Sequence, residues 1–403
     1  MTDLGWMGVD WEQRIDFDRL RRERLERARK AVAESDADAL FIFRAEDARY
    51  ITGHRSHLGP VAALSFGNVV LHRNGDYILY TMDGKTTLDG MPWLDKSQIK
   101  PRANVRDHTG TVAWAESVKA DFELGPGSVI GVDLWNPRIE ASLKTVFTDV
   151  EFVDGFDILM NAKIIKTQDE LACIRAAGVL TEVGFQAALD ALKPGVKECE
   201  VLAAAWQAMT ALGSEWTQCS NIVASGPYTA PYRRFTSDRI IRVGDPVIID
   251  IGGCFNGYWG DFTRSYICGD VRPTEEQIDL HQKCYDALFN ACDAVRKGNT
   301  NYDVFQAAQP CVRSNLGHGA GLNPWEPPFF SSSAKDDRVV LEENMVMNLE
   351  PYAGEPGIGG FRLENDLIVT DGDPDIYTTL PFDERLLRDV HPLDKTTGRV
   401  YYR

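Results

Sequence analysis

The chain has 403 residues, 44% of them apolar and 10% aromatic, with 34 glycines and 19 prolines spread along its length. That composition excludes a disordered or fibrous protein and suffices for two domains, each with its own core. Its 60 acidic against 43 basic residues give a formal net charge of -17, which repels nucleic acid and anionic membranes, so neither is expected as a partner.

The opening segment "MTDLGWMGVDWEQRIDFDRL" has no basic stretch followed by an apolar run, and no segment reads as a membrane span. A soluble, cytoplasmic protein is expected. "DFDRLRRERLERARKAVAESDADALFIF" predicts a charged amphipathic helix running into a buried strand. "AALSFGNVVLHRNGDYILYTMDG" reads as two strands of a hairpin turning at "HRNGD", and "GSVIGVDLW" as a later strand. Residues 1–160 therefore read as an α/β N-terminal domain.

From Asn161 the pattern changes. "DELACIRAAGVLTEVGFQAALDAL" and "KECEVLAAAWQAMTALG" are helical, with the turn "KPGV" between them. Strands "DPVIIDIGG" and "DFTRSYICG" follow, then a helix from Thr274 to about Lys297, another over Tyr302 to Asn315, and the strands "NMVMNLEPYA" and "FRLENDLIVTDG". Residues 161–403 thus read as an α+β domain. The eight cysteines all lie beyond residue 172 and no two have C-x-x-C spacing, which favours reduced thiols over a disulfide framework or a thiolate metal site.

The chemistry concentrates in this second domain. Asp250 closes the apolar run "PVIID", where a buried carboxylate needs a cation or hydrogen bonds. Asp261 opens "DFTRSY" after the turn "GGCFNGYWG"; His318 lies in "NLGHGAGLNP", Glu350 ends "MVMNLE" and Glu364 lies in "GFRLEND". Four carboxylates and one imidazole suit a pair of divalent ions with a water activated between them. Each residue also has an ordinary alternative: Asp261 as a turn cap, His318 as a hydrogen-bonded loop residue, Glu350 and Glu364 as partners of Arg362.

In this order, and with these surrounding motifs, the five resemble the ligands of the pita-bread metallopeptidases: methionine aminopeptidase, prolidase, aminopeptidase P and creatinase. The two-domain length resembles the creatinase, prolidase and aminopeptidase P branch. The resemblance implies a creatinase-like α/β N-terminal domain, a pita-bread catalytic domain and a homodimer. It further implies two divalent ions (Mn, Fe, Co or Zn) on Asp250, Asp261, His318, Glu350 and Glu364. Glu350 would be the general base, with Thr263 and Arg362 orienting the carboxylates. Hydrolysis of a C–N bond in a dipeptide or small carboxylated amide-like molecule is the expected reaction.

Two positions depart from the family. Where its peptidases usually carry histidines, this chain has Arg233 in "SGPYTAPYRRFTS" and Trp325 in "GHGAGLNPWEPP". Arginine offers a planar fork for a carboxylate and tryptophan an apolar face for a ring or a quaternary cation. Both are candidate substrate contacts, and a turn salt bridge and simple packing are the alternatives. In the first domain, His54, Arg55 and His57 of "RYITGHRSHLGP" form a candidate substrate-facing loop. The competing reactions are dimethylsulfoniopropionate lysis on the same fold, from whose metal motif "IIDIGG" departs, and a non-catalytic binding role, which would not need the full ligand set.

Overall fold

The computed structural model describes residues 15–55, 67–82, 84–102, 105, 107–217, 221–232, 235–312 and 314–396. The chain divides into two units, Asp16–Lys163 and one that begins at Ile164.

The first unit opens with the helix Phe17–Glu34, capped by Asp16, whose side chain accepts from the Arg19 amide. Its buried residues, Leu20, Arg24, Ala28 and Val32, recur every four positions, so one stripe faces inward. The sheet comprises β1 (Ala39–Ile42), β2 (Gly67–His72), β3 (Tyr77–Thr81), β4 (Ile99–Pro101), β5 (Val129–Val132) and β6 (Glu151–Asp154). Their order is β4-β3-β2-β1-β5-β6, with β2 and β3 forming the hairpin expected at "HRNGD" and β1, β5 and β6 parallel. Phe41, Trp114 and Phe147 centre the core of this α/β layer.

The second unit begins with two packed helices, Gln168–Ala191 and Glu198–Ala211. By length and composition the first is apolar enough to cross a membrane, contrary to the sequence reading, but 61% of its apolar window is buried within the protein. Leu171, Ile174, Leu180 and Phe185 are among its buried residues, as in a core helix.

The strands that follow are β7 (Ile222–Ser225), β8 (Pro246–Ile251), β9 (Cys254–Phe255), β10 (Tyr258–Trp259) and β11 (Phe262–Ile267). β11, β8 and β7 make an antiparallel sheet, with Thr263 opposite Asp250. Between β9 and β10, Asn256 and Gly257 take φ of 50° and 84°, the left-handed pair a two-residue hairpin turn requires.

After the helix Glu275–Ala294 comes a second, Asn301–Ala307, shorter than the predicted Tyr302–Asn315. Pro310 has no amide hydrogen to continue it, and Asn315 already belongs to a strand. The remaining strands are β12 (Asn315–Gly319), β13 (Glu326–Ser331), β14 (Val346–Leu349), β15 (Tyr352–Glu355), β16 (Gly359–Arg362), β17 (Asn365–Ile368) and β18 (Asp375–Ile376). They form an antiparallel sheet β13-β12-β14-β17-β18 and a separate hairpin β15–β16.

Arg264 fastens the three-stranded sheet to the five-stranded one. Fully buried between Phe262 and Phe382, its guanidinium donates to Thr263 O, Glu364 O, Asn365 Oδ1 and Leu380 O. The seven described cysteines are free thiols.

Candidate metal centre

Strand ends bring the predicted ligands to the junction of the two sheets. Asp250 projects from β8, and Asp261 sits immediately before β11. His318 is on β12, Glu350 follows β14 and Glu364 precedes β17. The ladder sets their mutual placement: His318 lies opposite Asn348 in β12–β14, two residues from Glu350, and the Glu364 amide donates to Thr263 O at 2.9 Å.

Asp250, Asp261 and Glu364 each offer an oxygen within 4.8 Å of the others, and all three are buried. His318 Nε2 is 3.9 Å from both Asp261 Oδ2 and Glu350 Oε1. All five residues predicted as ligands thus converge.

Several of these groups are held at one end and left open at the other. Thr263 Oγ1 donates to Glu364 Oε2 at 2.7 Å, while Glu364 Oε1 is buried with no hydrogen-bond partner among the described residues. Arg362 donates to Glu350 Oε2 and, at 2.9 Å, to Asp250 Oδ2. His318 Nδ1 donates to Gly319 O at 2.9 Å, which leaves the lone pair of the neutral ring on Nε2, itself buried and unpartnered among the described residues. Thr263 thus contacts Glu364, and Arg362 contacts Asp250 and Glu350 rather than its neighbour Glu364.

Electrostatics press in the same direction. Burial, together with the nearby Glu364 and Asp250, holds the Asp261 carboxyl well above the usual carboxylate range. Burial and Asp250 push Glu364 up to about 7, and burial pushes the His318 imidazole down to about 4. Carboxyls crowded this way must bind protons or a cation. Hard oxygen donors, a neutral imidazole and two unpartnered buried atoms fit a divalent metal.

Tyr232 was not legible as a site residue. Its hydroxyl donates to Asp250 Oδ2 at 2.6 Å and accepts from Arg362 Nη1 at 3.0 Å. With Tyr352, Glu350, Arg362, Ser314 and Asn315 it lines a cavity of about 370 Å³ beside the carboxylates. A second unforeseen element is the buried ion pair of Lys166 with Glu326, which anchors the strand just after Trp325.

Trp325 is 44% exposed, its ring 6.3 Å from that of His318 at 83°, so it borders the centre. Arg233 and His57 lie outside the described residues. Arg55 is exposed. His54, expected on a substrate-facing loop, is instead buried in its own unit, with Nε2 3.4 Å from Thr81 Oγ1 and its ring against Gly67.

Residues 172–371 match the model of metallopeptidase family M24, and residues 24–162 match the creatinase/prolidase N-terminal domain. The chain belongs to the creatinase, prolidase and aminopeptidase P family. Its two domains are the family's: an α/β creatinase-type N-terminal domain and an M24 pita-bread catalytic domain. Its likeness to Xaa-Pro peptidases of that family supports enzymatic, metal-dependent hydrolase activity.

Among curated relatives, the chain is 28% identical over 361 residues to a Xaa-Pro dipeptidase of Pyrococcus furiosus, covering 87% of this chain and 96% of that one. Among solved structures it is similar to dipeptidase PepE of Mycobacterium ulcerans, with a TM-score of 0.73 and 25% identity over 91% of this chain and 97% of that one. The prolidase of Pyrococcus horikoshii OT3 shares the fold, with a TM-score of 0.75 and 24% identity over 91% and 100%.

Proposed function

We propose that this protein is a dinuclear-metal hydrolase that cleaves the C–N bond of a dipeptide or small amide-like molecule. The observation that carries the reading is the cluster itself: three buried carboxylates with oxygens within 4.8 Å, facing an imidazole nitrogen that has no other partner among the described residues. Asp250, Asp261, His318, Glu350 and Glu364 would hold two ions drawn from Mn, Fe, Co or Zn. Bound there, the ions supply Lewis-acid activation of a water and of the scissile carbonyl.

The side chains do the rest. Arg362 fixes Glu350 by Oε2, which leaves Oε1 turned toward His318 and able to take the proton of the attacking water and pass it to the leaving nitrogen. Thr263, Arg362 and Tyr232 keep Glu364 and Asp250 from rotating as charge shifts during the reaction. The dipeptidase names among the relatives support a peptide-like substrate. Arg233 and Trp325, standing where the family usually has histidines, support a selectivity of its own. A homodimer working in the cytoplasm belongs to the same reading and rests on the branch's two-domain plan and the acidic composition.

One feature favours a second reaction. The half-exposed indole of Trp325 beside His318 suits an onium substrate, as in lysis of dimethylsulfoniopropionate. A product-resolved mass-spectrometric assay separates the two. Protein loaded with Mn or Fe is given Xaa-Pro and other dipeptides, small amides and the sulfonium compound. A water-added product from an amide is expected. Acrylate from the sulfonium substrate, with every amide left intact, would overturn the hydrolase assignment.

A further inference from the structure

We infer that Tyr232 and Tyr352 are positioning residues that fix the Asp250 carboxylate for metal binding. The inference rests on the proposed function insofar as Asp250 is a metal ligand there.

Tyr232 follows the short turn Gly226–Thr229 and belongs to no helix or strand. A hydroxyl on such a loop orients a carboxylate only if its ring is held. The structure supplies that hold in layers. The ring of Tyr232 stacks on Tyr352 of β15, with centroids 5.5 Å apart and planes at 23°. Arg362, which bonds both the hydroxyl and Asp250, lies with Cζ 5.0 Å from the Tyr232 ring centroid.

Tyr352 is itself secured. Its hydroxyl donates to Thr229 O at 2.8 Å, and Thr229 Oγ1 accepts from the Gly360 amide at 2.9 Å, so the loop is tied to the hairpin at two points. Gly354 and Gly360 are partners across β15–β16, and a Cβ on either would collide with the Tyr352 side chain. Glycine at both positions is what admits the ring. The path therefore runs from the glycine face of the hairpin through Tyr352 and Tyr232 to Asp250 Oδ2. Partners of this kind set ligand orientation, and losing one weakens metal affinity by about 10- to 100-fold.

The test is Mn2+ binding to metal-stripped full-length protein, measured by isothermal titration calorimetry, with thermal melts reporting that each variant is folded. Tyr232→Phe keeps the ring and deletes only the hydroxyl; it should bind Mn2+ about 10-fold or more weakly. Tyr352→Ala should lose a similar factor, whereas Tyr352→Phe, which keeps the stack but not the bond to Thr229 O, should lose less than Tyr352→Ala. Because both act through one hydroxyl, Tyr352→Ala should add almost nothing in a Tyr232→Phe background.

Wild-type affinity in Tyr232→Phe overturns the inference, as do fully additive losses in the double variant. If Tyr352→Ala does not fold, Tyr232→Phe decides alone. A wild-type protein that takes up no Mn2+ at all removes the metal reading and the inference with it, an outcome distinct from uptake that ignores Tyr232.

Discussion

Replacing Arg362 by Met tests whether the carboxylate cluster depends on a cation. Arg362 is buried and bonds two buried acids, Asp250 and Glu350. Methionine fills similar space but leaves both carboxylates without that charge. Removing one partner of a buried ion pair costs about 3–5 kcal/mol. At about 2–4 °C per kcal/mol for a domain of this size, the melting temperature of the metal-free protein should fall by about 6–20 °C. Manganese at saturating concentration should bind only the folded state and bring positive charge to the same acids, so the gap between variant and wild type should narrow. The assay is differential scanning calorimetry in EDTA and again in excess Mn2+. A loss under about 1 kcal/mol in EDTA, or a gap that Mn2+ leaves unchanged, would refute the charge argument and reduce Arg362 to a packing residue.

Three further outcomes are expected. Asp250→Asn and Glu364→Gln should each lower bound metal, read by elemental analysis after dialysis; full stoichiometry in both would remove them as ligands. A Cβ at Gly317 would collide with Asn348 O across β12–β14, so Gly317→Ala should destabilise the unit by about 1–3 kcal/mol in urea unfolding, and an unchanged midpoint would show that the strands can part freely. Burial, opposed by Asp383, pushes the His281 imidazole down to about 4, its ring lying edge-on to Phe361 and Phe382. Since the folded state then refuses a proton that the unfolded chain accepts, stability should be complete above about pH 6.5. It should fall by about 3 kcal/mol as pH drops to 4. His281→Phe should flatten that part of the pH profile, and an identical slope in the variant would contradict the assignment.

Much of the catalytic unit could be read from the sequence because its candidate ligands sit where backbone pattern changes. Asp250 ends an apolar strand, Asp261 follows a glycine-rich turn and Glu364 separates two strands. Each breaks a hydrophobic run with a group that burial penalises. Tyr232 gave no such signal, since its loop has no periodicity and its partner Asp250 lies eighteen positions on. The Lys166–Glu326 pair spans 160 positions and was equally invisible. His54 differs again: the polar cluster after Gly53 reads as a loop and its described part, residues 53–55, is one, but this histidine's side chain is buried. The helix after Asn301 stops short of the predicted Asn315, since Pro310 cannot continue it.

The division of the ligands between two sheets has a consequence for the protein's lifetime. Asp250 and Asp261 come from the three-stranded sheet and its approach, while His318, Glu350 and Glu364 belong to the strands and strand ends of the other half. An ion bound by both would act as a cross-brace over a seam that Arg264 otherwise holds from the side. Loading and durability would then be linked: a molecule without its ion should open first at the seam, exposing backbone to proteases, and a loaded one should not. Such an enzyme would be culled according to whether it can work.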